Sequence, residues 1–282
     1  MRLVLTRHLW GLAEPWEALF PRIRASGYEA IETPVPPASE RERFRAVLDD
    51  HGLDYVAMIF TAGETVDDHV ASFREQAAIA QDLGPLVITS HSGRDAWDVS
   101  AASSFFDQAL AVEVTLDVPV AHETHRGRIL YNPWATSRLL DEFDALRLCC
   151  DLSHWVCVSE RLLDTERAIV QQSAQRCIHL HARVGYEQGP QVPDPRAPEY
   201  EQHVTAFERW WRLIWKAQAE RGHAVSTLTP EYGPPSYLHT LPYTDVPVAD
   251  LWAICDWQAH RAAEQFREMQ GATAPDGEGR PQ

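Results

Sequence analysis

Long apolar runs are missing from this chain of 282 residues. None approaches the roughly 20 residues that a membrane-spanning helix needs. The N-terminus, Met1 to Leu5, enters a short strand-like run with no long apolar region or small-residue cleavage site, so no signal peptide is read there. Cysteines are few: the five form an odd set without Cys-x-x-Cys spacing. That pattern argues against a disulfide framework or a thiolate zinc site and fits reduced thiols in the cytoplasm. Cys149, Cys150 and Cys177 are expected to be small core residues on strands. Basic clusters are lacking as well, and the formal net charge is −16. Such a field repels polyanions, so no nucleic-acid partner is expected. Neither a Gly-rich phosphate loop nor a Ser nucleophile elbow occurs.

Present instead is a strand-like run followed by a helix-like run, repeated eight times. The expected strands are Leu3–Leu5, Tyr28–Glu32, Leu53–Phe60, Leu86–Thr89, Val118–Glu123, Leu146–Asp151, Cys177–His181 and Ala224–Thr229. Leu53–Phe60 is almost continuously apolar, as expected for a strand covered on both faces. Between the strands, apolar residues recur at helical spacing, as at Val70, Phe73, Ala77 and Ala80. Helices are expected at Ala13–Ala25, around Phe44–Leu48 up to Gly52, at Ala101–Leu116, Ser137–Phe143 and Glu160–Gln172, along Val204–Trp215, and at Val248–Met269. Eight alternations without a linker predict a single (β/α)8 TIM barrel over residues 1–270. The Gly/Pro-rich polar stretch 271–282 is expected to be a disordered tail.

A barrel of this kind gathers its chemistry at the C-terminal strand ends. Those ends read Trp10, Glu32, Phe60, His91, Glu123, Asp151, His181 and Glu231. Carboxylates crowded together repel one another and take up protons unless a cation neutralises them. Glu123, Asp151, His181 and Glu231 offer three oxygen ligands and one nitrogen, a set suited to Mn²⁺, Mg²⁺ or Co²⁺ and open to Zn²⁺. Taken singly, Asp151 reads equally well as a cap for the next helix. His122 alternates with Glu123 and is expected to face the other way.

With this topology and these ends, the chain resembles the xylose-isomerase-like superfamily of sugar phosphate isomerases and epimerases. The resemblance runs from Gly27-Tyr28-Glu29-Ala30-Ile31-Glu32 to Pro230-Glu231-Tyr232-Gly233. It implies a Glu-Asp-His-Glu metal set on Glu123, Asp151, His181 and Glu231. It also implies a substrate-pocket or supporting role for Glu32, and a metal or substrate contact at His154.

The superfamily's endonucleases hold a metal cluster that His69, His91, Glu123, Asp151, His154, His181 and Glu231 would match in part. The Asp-x-His pair for its third metal is not found, since Asp194 has no histidine two residues on. DNA repair is therefore a minor reading.

Around these ends, Arg126, Arg128 and Arg183 either hold a carboxylate, phosphate or hydroxyl of the substrate or pair with nearby acids. His91, His125 and His154 are candidate proton carriers, with His125 and His91 also placed as substrate contacts. Trp10, Trp97, Trp134, Trp155 and Tyr232 either stack on a sugar or pack the fold. The loop from Gly185 to Pro198 is long enough for a lid or a contact between copies in a homo-oligomer.

The expected activity is isomerisation or epimerisation of a small sugar or sugar acid through a metal-stabilised enediolate, Mn²⁺ being the preferred ion. Glu123 or Glu231 would serve as base, with His154 assisting. The alternative is a lyase, a dehydratase or decarboxylase using the same site. A binding barrel without catalysis would have no need of an intact ligand set.

Overall fold

The apolar run ending at Phe60 forms a strand, and with seven others it closes a parallel barrel in sequence order. The computed structural model describes residues 1–273. Its strands are β1 (Arg2–His8), β2 (Ala30–Pro34), β3 (Asp54–Phe60), β4 (Val87–His91), β5 (Val120–Glu123), β6 (Leu148–Cys150), β7 (Cys177–His181) and β8 (Val225–Thr229). The helices are α1 (Trp16–Ala25), α2 (Arg41–His51), α3 (Val66–Gln81), α4 (Val99–Glu113), α5 (Pro133–Glu142), α6 (Leu152–Ser159), α7 (Arg167–Ala174), α8 (Glu201–Glu220) and α9 (Leu251–Thr273). No helix among the described residues is long and apolar enough to cross a membrane.

Several boundaries differ from expectation for identifiable reasons. β1 continues past Leu5 to His8, because Thr6 and His8 extend the inward alternation of Val4 in polar form. Tyr28 belongs to the turn before β2, its N–H bonded to the carbonyl of Ile23. Pro133 in the first turn and the Asn132 side chain, which accepts from the Ala135 N–H, start α5 ahead of Ser137. The helix expected over Glu160–Gln172 is two helices. Asp151 caps α6 at the very end of β6, and Glu160, at φ 51°, ends it in the left-handed region. α9 carries on to Thr273, so positions 271–273 are helical, and the remainder of the expected tail lies outside the described residues.

Two cores follow from strand alternation. The larger one lies between the barrel and its helices, where Phe73, Phe105, Trp211 and Trp215 are wholly buried. Inside the barrel, Val56, Val87, Ala121 and Cys149 form a small apolar plug. On β2, β4, β7 and β8 the inward positions turn polar, with Glu32, Thr89, His179, Thr227 and Thr229 joined by hydrogen bonds. The barrel is thus sealed below and chemically loaded above.

Candidate active site

Glu123, Asp151, His181 and Glu231 leave four strands at the same level and converge. Each offers a ligand atom, and these atoms all lie within 4.8 Å of one another. All four residues are buried. His181 turns Nδ1 toward the two glutamates, 3.2 Å from Glu231 Oε2 and 3.6 Å from Glu123 Oε1. Its other nitrogen, Nε2, donates to Glu32 Oε1 at 3.0 Å. Glu32 is held in turn by the Thr89 and Thr229 hydroxyls and by His179. This fixes the ring with Nδ1 aimed at the cluster, the way a carboxylate orients a metal-binding histidine.

Glu32, expected at the substrate pocket or in a supporting position, lies behind His181 and is not among the residues that line the cavity above. It is fully buried and spends both oxygens inside the barrel. Burial opposes its ionisation, but the charges and hydrogen bonds of His181 and His179 outweigh that and hold its carboxyl well below the usual range.

The donor set fits a divalent cation on the evidence of its own atoms. Glu123 Oε1, Glu123 Oε2 and His181 Nδ1 are buried and make no hydrogen bond of good geometry, although His91 Nε2 stands close to Glu123 Oε2 and the two carboxylates flank Nδ1. Orphaned buried acceptors are costly unless something positive meets them. The electrostatics agree. Burial raises Asp151, reinforced by Glu231 and Glu123, and pushes its carboxyl up to about 7 despite Arg183. Burial also works against a charge on His181, yet Cys149, Glu231, Glu32 and Glu123 raise its pKa well above the ordinary value. Positive charge is wanted where these side chains meet.

Arg183 lies deeper than a substrate-binding rim residue would. It is wholly buried, donating to Asp151 Oδ2, to the Glu231 carbonyl at 3.1 Å and to Ser153 Oγ at 3.1 Å. Its Nη1 lies 3.2 Å from Glu231 Oε2. It therefore pairs with acids of the cluster, although one edge of it faces the cavity above. His154 is wholly buried, its Nε2 accepting from Arg183 at 2.7 Å, and burial keeps its pKa well below the ordinary value. Asp151 does two jobs, since its Oδ1 caps α6 through the Ser153 N–H while Oδ2 faces Arg183.

Above the cluster is a cavity of about 470 Å³. On one side His91, His125, Arg128, Arg183 and Glu231 line it. His91 Nε2 sits 2.6 Å from Glu123 Oε2. The His125 ring packs 4.6 Å from His91 and 3.9 Å from His154, and burial drives its pKa down to about 4. Arg128 donates to the carbonyls of Thr61 and Gly93. Arg126 stays exposed, its guanidinium 5.0 Å from the Tyr237 ring centre. The chain's one lysine, Lys216, is exposed on α8, which leaves no amine at the mouth for Schiff-base chemistry.

Several expected rim residues lie elsewhere. Trp155 is core, its indole N–H bonded to the Leu130 carbonyl. Tyr232 is core too, its hydroxyl between the Val184 N–H and Gln258. Trp97 and Trp134 line a second cavity by the β4–α4 and β5–α5 loops. His69 bonds Thr61 Oγ1 and packs against Trp97, away from the cluster. His122 faces outward as expected, bonded to Ser92 and Glu113. The loop after β7 is not a free lid, because buried Gln191 bonds both the N–H and the carbonyl of Gly233.

Sequence reading missed His8, His179 and Tyr237. His8 and His179 continue the inward alternation of β1 and β7, a signal that was present. Tyr237 arrives on an irregular segment that carries no periodicity.

The match to known proteins agrees with this geometry. Residues 20–208 match the family model described as xylose isomerase-like TIM barrel. No curated protein matches. Among solved structures, a 3-keto-D-glucoside 4-epimerase from E. coli superposes with a TM-score of 0.63 at 9% identity, covering 93% of this chain and 100% of that one. A sugar phosphate isomerase/epimerase from Parabacteroides distasonis gives 0.61 at 12% identity, with 94% and 95% covered. A probable 3-DHS dehydratase from Bacillus anthracis gives 0.55 at 12% identity, with 97% and 100% covered. At such identities these neighbours speak for the fold alone. With two thirds of its length under the family model and a closed eight-stranded barrel, the chain belongs to the xylose isomerase-like TIM barrel family.

Proposed function

We propose that this protein is a divalent-metal-dependent isomerase or epimerase of a small sugar or sugar acid, moving a proton at the carbon next to a carbonyl. The observation that carries this reading is the convergence of Glu123, Asp151, His181 and Glu231, with three of their ligand atoms buried and lacking a well-formed hydrogen bond. These four residues would hold the ion, with Mn²⁺ preferred. Once bound, it would polarise the substrate carbonyl and offset the negative charge that grows as the proton leaves.

The protein's own groups supply the rest. Glu231, which lines the cavity, would take the proton from carbon. Glu123 lies buried beneath with His91 against it, and would return a proton to the neighbouring carbon only after taking one from the His91 ring. His91 and His125 line the same wall within reach of substrate oxygens. Arg183 keeps Asp151 and Glu231 apart in charge and fixes His154 as a hydrogen-bond acceptor.

The test combines Mn²⁺ titration by calorimetry with proton exchange of ketoses in D₂O followed by NMR. Glu123→Gln and Glu231→Gln should each weaken Mn²⁺ binding and abolish exchange. Unchanged Mn²⁺ affinity and exchange in both variants would overturn the reading. Enone absorbance or CO₂ release without exchange would identify a lyase instead.

A further inference from the structure

The cavity has two unlike walls, and the strand order explains the division. The polar wall comes from the ends of β4, β5, β7 and β8. Facing it, the ends of β1, β2 and β3 contribute Leu9, Trp10, Pro34, Met58 and Phe60. Thr33 and His8 are the polar residues among the lining on that side. A bare polyol pressed against such a wall would lose water from its hydroxyls and find few replacements. An apolar group there would gain from leaving water.

The apolar wall is also built, not incidental. Trp10 keeps 40% of its surface exposed while Tyr237 meets its ring edge-on at 4.9 Å. Gly233 lies beneath the indole so closely that a Cβ would stand 2.2 Å from the ring. Gly11, at φ +80°, leaves the same kind of room for Pro234. Trp10 is therefore set in place by the residues that follow Glu231. An aromatic face held rigidly and left open to a cavity is suited to a ligand that covers it.

We infer that the substrate is two-ended, with an α-hydroxycarbonyl head at the metal cluster and an apolar substituent, such as an aromatic or alicyclic group, against Trp10, Met58 and Phe60. This rests on the proton-transfer reading for the head, whereas the apolar end stands on the cavity itself.

Two probes with the same head separate the claims. Hydroxyacetone carries a methyl group where 2-hydroxyacetophenone carries a phenyl group. Calorimetry on the full-length, Mn²⁺-loaded protein should show 2-hydroxyacetophenone binding about tenfold tighter or more, given the apolar area it hides. Trp10→Ser and Met58→Ser should shrink that preference while Mn²⁺ affinity, measured separately, stays as in the unsubstituted protein. Equal affinity for both probes in the unsubstituted protein overturns the two-ended substrate, even where both exchange their α-protons in D₂O. Tight, Trp10-dependent binding of 2-hydroxyacetophenone supports it, and absence of exchange alongside that binding counts against proton transfer alone. Binding of neither probe overturns both.

Discussion

Glu32 and His181 come from strands on opposite flanks of β1 and β8 yet meet at 3.0 Å, carboxylate to Nε2, so that Nδ1 faces Glu123 and Glu231. Glu32→Gln keeps the shape but weakens this bond and frees the ring to choose its tautomer. Loss of such a supporting carboxylate costs about 10–100-fold in metal affinity. Calorimetric titration with Mn²⁺ should show that drop while circular dichroism reports an intact fold. An unchanged affinity would remove Glu32 from its supporting role.

Arg183 is the cation that the protein itself supplies to this acidic cluster. Arg183→Met leaves Asp151 and Glu231 buried without it. Breaking a buried pair in this way costs about 3–5 kcal/mol. Urea unfolding of the chelator-treated variant should reveal that loss. Saturating Mn²⁺ should restore part of it, because a ligand that binds only the folded state stabilises it.

His122 and Glu123 are neighbours in sequence on opposite faces of β5. His122→Phe removes the partner of part-buried Glu113 and one of two partners of Ser92, at a cost of about 1–3 kcal/mol. Thermal or chemical unfolding should register that change. Mn²⁺ affinity should stay within about twofold, since the substitution acts behind the sheet. A large loss of affinity would contradict the outward placement of His122.

Gly93 sits at φ +58°, and a Cβ there would lie 2.4 Å from Ile129 and 2.6 Å from Trp97. Gly93→Ala combines backbone strain with overpacking, together costing about 1–3 kcal/mol. Because the Gly93 carbonyl accepts from Arg128, the substitution should also loosen the cavity wall. Weaker binding of 2-hydroxyacetophenone, measured alongside denaturant stability, checks both effects.

Much of the barrel was readable because its strands alternate with helices at regular intervals and several are apolar throughout. The four-residue cluster was readable too, since each member ends a strand and needs only the topology to place it. What escaped was whatever depends on the path of the chain beyond the strands. No periodicity marks Tyr237, and nothing in the spacing of Trp155 or Tyr232 reveals that they turn into the core. Arg183 was legible as a cation near His181, but its burial against Asp151 depends on how the end of β7 packs on α6. The split of Glu160–Gln172 into two helices turned on Asp151 serving as a cap, a role the sequence left open.

The division of the cavity between two sets of strands separates what can change from what cannot. The groups proposed as ligands and proton carriers occupy the ends of β4 to β8, while the ends of β1 to β3 supply Trp10, Pro34, Met58 and Phe60. Substitutions in that first arc can resize or reshape the pocket without moving a ligand atom. One chemistry can thereby be passed among descendants with different appetites, the cavity-lining residues at the ends of β1, β2 and β3 serving as the exchangeable part.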